Sequence, residues 1–157
     1  MSLEIREDDP RSPPAIALLE AHLAHCWGAG APSESTHVME VEALCTPAMT
    51  FWTAWLEARA VACGALKEID PRHGEIKSMH TLERCRGQGV AAAMLKHIVE
   101  AARGRGYRRV SLETGSMEAF AAARAFYERH GFAPCPPFEG YREDPNSVFM
   151  TLMLDAE

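Results

Sequence analysis

Apolar residues recur along this chain with two periods, and the switches between them mark out the elements. Leu3 to Arg6 alternates apolar and polar positions and predicts a short first strand. Ile16, Leu19, Leu23 and Trp27 follow at helical spacing. They lie behind Arg11-Ser12-Pro13-Pro14, where serine suits an N-cap and proline suits a first turn. Gly28 to Ser35 reads as a loop of small residues, and Val38 to Leu44 predicts a short second helix. Met49–Leu56 and Ala60–Ile69 predict two strands joined by Glu57-Ala58-Arg59. Asp70-Pro71-Arg72-His73-Gly74 is a turn, after which Glu75–Leu82 predicts a third strand. Strict alternation there groups Ile76, Ser78, His80 and Leu82 on one face and Lys77, Met79 and Thr81 on the other. The links are too short for crossovers, so these three strands form an antiparallel meander.

The second half alternates helix and strand. Gly89–Arg103 predicts a helix with Val90, Met94, Ile98 and Ala101 on one face, stopped by Gly104 and Gly106. Arg108–Thr114 predicts a strand. Glu118–His130 predicts a helix with Phe120, Ala123, Phe126, Tyr127 and His130 in register and Gly131 as its C-cap. Ser147–Leu154 predicts a last strand. A meander followed by this alternation implies an α+β (mixed α/β) sheet. No repeat, low-complexity tract or linker divides the chain, so residues 1–157 are expected to form one domain.

Charge and cysteine content narrow the class. The chain has 22 acidic against 16 basic residues, a net charge of -6, which argues against nucleic-acid binding through an overall basic field. No apolar run approaches the ~18 residues of a membrane span, and Met1 to Pro10 lacks the layout of a signal peptide. The five cysteines are widely and irregularly spaced, without a C-x-x-C pair. Reduced thiols, a cytoplasmic location and no metal are the expectation.

The stretch richest in chemistry is Arg84-Cys85-Arg86-Gly87-Gln88-Gly89-Val90-Ala91, between a strand and a helix. Its glycines let backbone approach a ligand, and the helix N-terminus offers unpaired N–H groups to a phosphate. It lacks the Gly-Lys-Ser/Thr of a Walker loop, and Ala92 stands where a dinucleotide fingerprint needs a third glycine. What remains is Q/R-x-x-G-x-G/A, met by Arg84, Gly87 and Gly89.

That pattern, followed by Ala125-Phe126-Tyr127-Glu128-Arg129-His130-Gly131-Phe132, resembles the GNAT superfamily of N-acetyltransferases. Glu75-Ile76-Lys77-Ser78-Met79, Leu112-Glu113-Thr114-Gly115-Ser116, Pro137-Phe138 and Asp144 to Met150 are similar to a small bacterial branch of it, the YsnE-type acetyltransferases. Ser35-Thr36-His37 and Phe51-Trp52 also fit that branch. The resemblance implies the GNAT acyl-CoA N-acyltransferase fold, a mostly antiparallel central sheet flanked by helices. It implies transfer of an acetyl group from acetyl-CoA to a primary amine by direct attack in a ternary complex. A small-molecule acceptor is expected. A peptide or protein acceptor and a non-catalytic acetyl-CoA sensor are the alternatives, and a homodimer is possible.

The same resemblance assigns residues. Arg84, Arg86, Gly87, Gln88, Gly89, Val90 and Ala91 would bind the pyrophosphate of the donor. Met79, Thr81 and Leu82 would meet its pantetheine arm, and Phe120, Ala123 and Phe126 would lie along it from the helix. Phe120 departs from the asparagine found there in many members. Tyr127 would protonate the leaving sulfur, although periodicity alone favours a half-buried packing residue. Glu113 could take the amine proton or anchor the Thr114-Gly115-Ser116 turn. Ser35, His37, Trp52, Lys77, Tyr141, Asn146 and Ser147 are the candidates for the acceptor pocket. His80, a base by chemistry, is expected to be a satisfied, half-buried histidine, and it stands where the closer branch has arginine.

Overall fold

The computed structural model describes residues 2–27 and 41–154. Its elements are β1 (Leu3–Glu7), α1 (Pro13–Trp27), β2 (Met49–Leu56), β3 (Arg59–Asp70), β4 (His73–Thr81), α2 (Val90–Gly104), β5 (Arg109–Gly115), α3 (Ala121–Arg129), β6 (Ala133–Pro134) and β7 (Ser147–Met153). The strands form one sheet in the order β1-β2-β3-β4-β5-β7-β6. β4 and β5 run parallel and the other neighbouring pairs antiparallel. Residues 41–43 are helical, and the earlier part of the expected second helix lies outside the described residues.

Local chemistry accounts for most boundaries. Ser12 caps α1: its Oγ accepts the Ala15 N–H at 3.3 Å, and its carbonyl accepts that of Ile16 at 2.9 Å. The β2–β3 link is a two-residue turn with Glu57 at φ 49° and Ala58 at φ 69°, so Arg59 already belongs to β3. The helix expected over Glu118–His130 is shorter. Glu118–Phe120 is a 3-10 turn, and the α-helix runs from Ala121 to Arg129. The Arg124 guanidinium shapes that entry by donating to the carbonyls of Gly115 and Met117, at 2.7 and 2.9 Å. Gly115 is required there, since a Cβ on it would overlap the Phe120 ring. β6 was not expected; a two-residue edge strand carries no periodicity, and its proline is tolerated at an edge.

The sheet buries a core on each face. Ala62, Leu66 and Ile76 pack with Val90, Met94, Leu95 and Ile98 of α2 and with Tyr127 of α3. On the other face Cys63 and Ala65 pack with Ala15, Leu18 and Leu19 of α1 and with Phe51.

Strict alternation fails in β4. Its register against β3 shifts between the pairs Ala65↔Lys77 and Cys63↔His80, and Ser78 has φ 56°. Ser78 is the extra residue of a β-bulge, and the faces exchange beyond it. Met79 joins Ile76 on the α2 face, against Gly64, while His80 joins Lys77 on the α1 face. The expected grouping of Ile76 with His80, and of Lys77 with Met79, is therefore corrected. Cys63 Sγ donates to the Ser78 carbonyl at 3.2 Å, tying the bulge to β3.

Candidate active site

β4 and β5 stay paired only from His73↔Arg109 to Glu75↔Ser111. Beyond that point they splay, and no β5 residue pairs with the β4 edge. The gap is a cleft of about 590 Å³. Its walls are β4 from Glu75 to Thr81, β5 from Leu112 to Gly115, and the α3 side chains Ala123, Phe126 and Tyr127.

One end of the cleft suits an anion. Arg86 and Ala91 line it where it reaches the start of α2. Gly87 and Gly89 have φ of 80° and 82°, and the turn needs glycine at both for that reason. Gly89 is the N-cap of a 15-residue helix, whose first-turn amides lack intrahelical partners. Arg84, Gly87, Gln88, Gly89, Val90 and Leu82 build this turn rather than line the cleft. Gln88 Nε2 donates to the Arg84 carbonyl at 3.3 Å, and Arg86 Nε donates to the Thr81 carbonyl at 3.1 Å, closing the turn on itself. Met79, Thr81, Phe120, Ala123 and Phe126 line the channel that leads inward from it. The open β4 edge, the left-handed glycines and the free helix end together fit the pantetheine and pyrophosphate of acetyl-CoA.

Tyr127 lies at the middle of the cleft, packed against Phe126 and Phe132. No hydrogen bond joins its hydroxyl to another described residue. Burial pushes the phenol well above its ordinary pKa, so it stays protonated at neutral pH and is a donor.

At the inner end, near the splay point, polar side chains from distant segments converge. Tyr141 donates to Glu75 Oε2 at 2.6 Å. Lys77 Nζ lies 3.4 Å from the same oxygen and 3.2 Å from the Tyr141 hydroxyl. Burial and the Glu75 carboxylate raise the Tyr141 phenol, with Glu113 and Glu139 adding to the effect. Glu113 accepts the Ser147 hydroxyl at 2.5 Å. Asn146 lines the cleft, and its carbonyl accepts the Ser116 N–H at 3.1 Å.

Not every expected residue lines the cleft: Tyr141 and Ser147 stand behind it, bonded to Glu75 and Glu113. Trp52 is corrected: it is buried under α2, edge-on to His97, and lies outside the cleft. β2 is two strands away from the splay point, and an indole on that face packs into the core. Ser35 and His37 lie outside the described residues.

Three cleft residues were missed. Glu75 is 2% exposed yet sits on the cleft floor, and its Oε1 has no hydrogen-bond partner among the described residues. Its place at the head of the Glu75-Ile76-Lys77-Ser78-Met79 run was legible, but not that the sheet would bury it at the splay point. His22 and His25 of α1 form one wall. His22 Nδ1 lies 3.3 Å from His80 Nδ1, so one ring carries its proton there and the other accepts it. Desolvation first, and the facing histidines next, lower His22 to about 4 and His80 to about 3. Their i, i+3 spacing on α1 was legible, but not which strand that helix face would cover.

Comparison with known proteins agrees with this geometry. Residues 16–132 match the acetyltransferase (GNAT) family. The chain is 49% identical over 152 residues to the N-acetyltransferase YsnE of Bacillus subtilis, covering 97% of this chain and 100% of that one. Its structure is similar to an acyl-CoA N-acyltransferase from Klebsiella pneumoniae, with a TM-score of 0.81, 27% identity and 98% coverage of each chain. It also shares its fold with an acetyltransferase from Elizabethkingia anophelis solved with acetyl-CoA bound, at a TM-score of 0.72 and 18% identity, covering 97% of this chain and 98% of that one. A sheet that splays between two parallel strands, a left-handed glycine turn at a helix end and these matches lead to one assignment: the chain belongs to the GNAT family of acetyltransferases, which take their acetyl group from acetyl-CoA.

Proposed function

We propose that this acetyltransferase acetylates the primary amine of a small molecule by direct attack in a ternary complex. The observation that carries the reading is the meeting, in one cleft, of the Tyr127 hydroxyl, without a partner among the described residues, with the buried Glu75 carboxylate and its neighbour Glu113. The cleft must admit both the thioester end of the donor and the acceptor, and about 590 Å³ is the size of a single small-molecule site.

Acetyl-CoA supplies an activated carbonyl and a thiolate leaving group. The amine nitrogen, freed of its proton, bonds to the carbonyl carbon, and the carbon–sulfur bond then breaks. The amine proton passes to the carboxylates at the inner end, directly or through water. Backbone N–H groups on the β4 edge beyond Glu75 face the carbonyl oxygen as its charge develops. Tyr127, held protonated by burial, donates to the departing sulfur and regains a proton from solvent. Arg86, the glycine turn and the first turn of α2 hold the pyrophosphate.

Thermal unfolding with acetyl-CoA, and with ADP and desulfo-CoA as controls, tests the donor site. Acetyl-CoA at about a hundred times its Kd is expected to add roughly 2.7 kcal/mol, a midpoint rise of about 5–10 °C. Thiol release with a panel of primary amines then tests transfer. No rise at saturating donor overturns the reading.

A further inference from the structure

The inner end of the cleft is built around an oxygen that none of the described residues satisfies. Glu75 is 2% exposed, and its Oε2 receives both Tyr141 and Lys77. Its Oε1 is screened from water and has no partner among the described residues. A buried carboxylate oxygen left unpaired is costly, and a cationic N–H donor arriving at it recovers that cost. The site already holds a primary alkyl ammonium: Lys77 Nζ lies against Glu75 Oε2 and the Tyr141 hydroxyl, 6.0 Å from the Tyr141 ring centroid. Lys77 occupies Oε2, which leaves Oε1 as the oxygen without a partner among the described residues.

Charge around this point is unbalanced. Glu75, Glu113 and Glu139 all act on Tyr141. Against these three carboxylates stand Lys77, spent on Glu75, and Lys67, 3.3 Å from Glu139. His22 and His80 add no compensating charge at neutral pH, because burial lowers both well below their ordinary range. Arg86 also lines the cleft, but beside Thr81, six residues up β4, on the order of 17–20 Å away at ~3.3 Å per residue. A carboxylate on the amine-bearing carbon would therefore face these carboxylates, beside two lysines that are already paired.

We propose that Glu75 Oε1 is the seat of the acceptor's amine, positioned by Tyr141 and Lys77, and that the acceptor is a primary amine with no carboxylate on the amine-bearing carbon. The identification of this seat with the acceptor's rests on the acetyl-transfer reading of the cleft; the selectivity of the seat for ammonium does not. Glu75 is the residue that touches substrate, and Tyr141 acts through it.

The test uses matched pairs that differ by one carboxylate: n-butylamine against L-norvaline, and phenethylamine against L-phenylalanine. Binding by calorimetry, without donor, is read separately from acetylation by thiol release. The decarboxylated member of each pair is expected to bind and react about tenfold or more better. Glu75→Gln, which keeps the shape and still accepts from Tyr141, is expected to weaken amine binding about tenfold or more, with acetyl-CoA affinity and thermal midpoint unchanged. Tyr141→Phe is expected to raise KM for butylamine about fivefold while kcat holds, a split that loss of packing alone would not give.

Equal binding of norvaline and butylamine, or a Glu75→Gln protein with unaltered amine binding, overturns the proposal. So does a protein that acetyl-CoA stabilises but that neither binds nor acetylates any of the four probes. If acetyl-CoA fails to stabilise the chain while butylamine still binds through Glu75, the acetyl-transfer reading fails and the ammonium seat stands.

Discussion

The two ends of the cleft are built by different means. The donor end is mostly backbone: a left-handed glycine turn, the first amides of α2 and the unpaired edge of β4. It is made by residues within about twenty positions of one another. The acceptor end is mostly side chain. Glu75 and Lys77 come from β4, Glu113 from β5, and His22 and His25 from α1, while Tyr141, from the loop before β7, holds Glu75 from behind. A backbone site recognises a group common to every donor and tolerates many side chains. A side-chain site can be retuned residue by residue without disturbing the fold, so one scaffold can serve many acceptors. Tyr127 lines the same cleft, and the proposed reaction uses its hydroxyl.

That division can be broken at its centre first. Tyr127→Phe is expected to lower kcat by about a hundredfold or more. The lost hydroxyl has no partner among the described residues, so acetyl-CoA affinity and the unfolding midpoint are expected to hold. A variant with wild-type turnover would reduce Tyr127 to a packing residue.

The histidine wall gives the next largest effect, on stability. His22 and His80 are lowered to about 4 and about 3 in the folded chain, against an ordinary 6.5. The unfolded chain therefore binds more protons as the pH drops below about 6.5. Stability is fully present above that value and is lost as pH falls towards the folded values. Between about pH 7 and pH 5 the loss is roughly 2 kcal/mol for each histidine. Urea unfolding at the two pH values reads it directly. Replacing His80 by asparagine is expected to remove about half of the difference. His25 and Arg86, which also face His80, add to its lowering and remain in that variant.

The donor turn gives the smallest effect and sharpens the comparison. Gly89 has φ 82° with nothing within 4 Å of where a Cβ would stand, so Gly89→Ala strains backbone without a clash. A cost of about 1–2 kcal/mol is expected to weaken acetyl-CoA roughly tenfold. The acceptor's KM is expected to stay the same. A change in KM for butylamine as large as that in donor affinity would show that the two ends do not act separately.

Legibility in the sequence followed the same division. The Arg84 to Ala91 turn and the Phe126-Tyr127 end of α3 are contiguous, and their glycine and aromatic spacing could be read directly. Strands β2, β3, β5 and β7 were legible because each buries one face or two against a helix. The face assignment of β4 was not. One added residue at Ser78 reverses every side chain beyond it, and a bulge leaves no mark in a hydrophobic pattern. Trp52 misled because aromatic residues serve pockets and cores alike, and only the position of β2 in the sheet separates the two.

Sequence by itself determined the element order, the glycine turn before α2, the catalytic tyrosine candidate and the family, because each depends on neighbours along the chain. Tertiary structure alone decided that Glu75 would be buried with an oxygen to spare. It also decided that His80 would meet His22, and that Tyr141 would close over β4 from more than sixty positions away. The reason is physical: burial and charge pairing depend on which surfaces meet, and a one-dimensional pattern records which residues want a partner, not which partner the sheet brings.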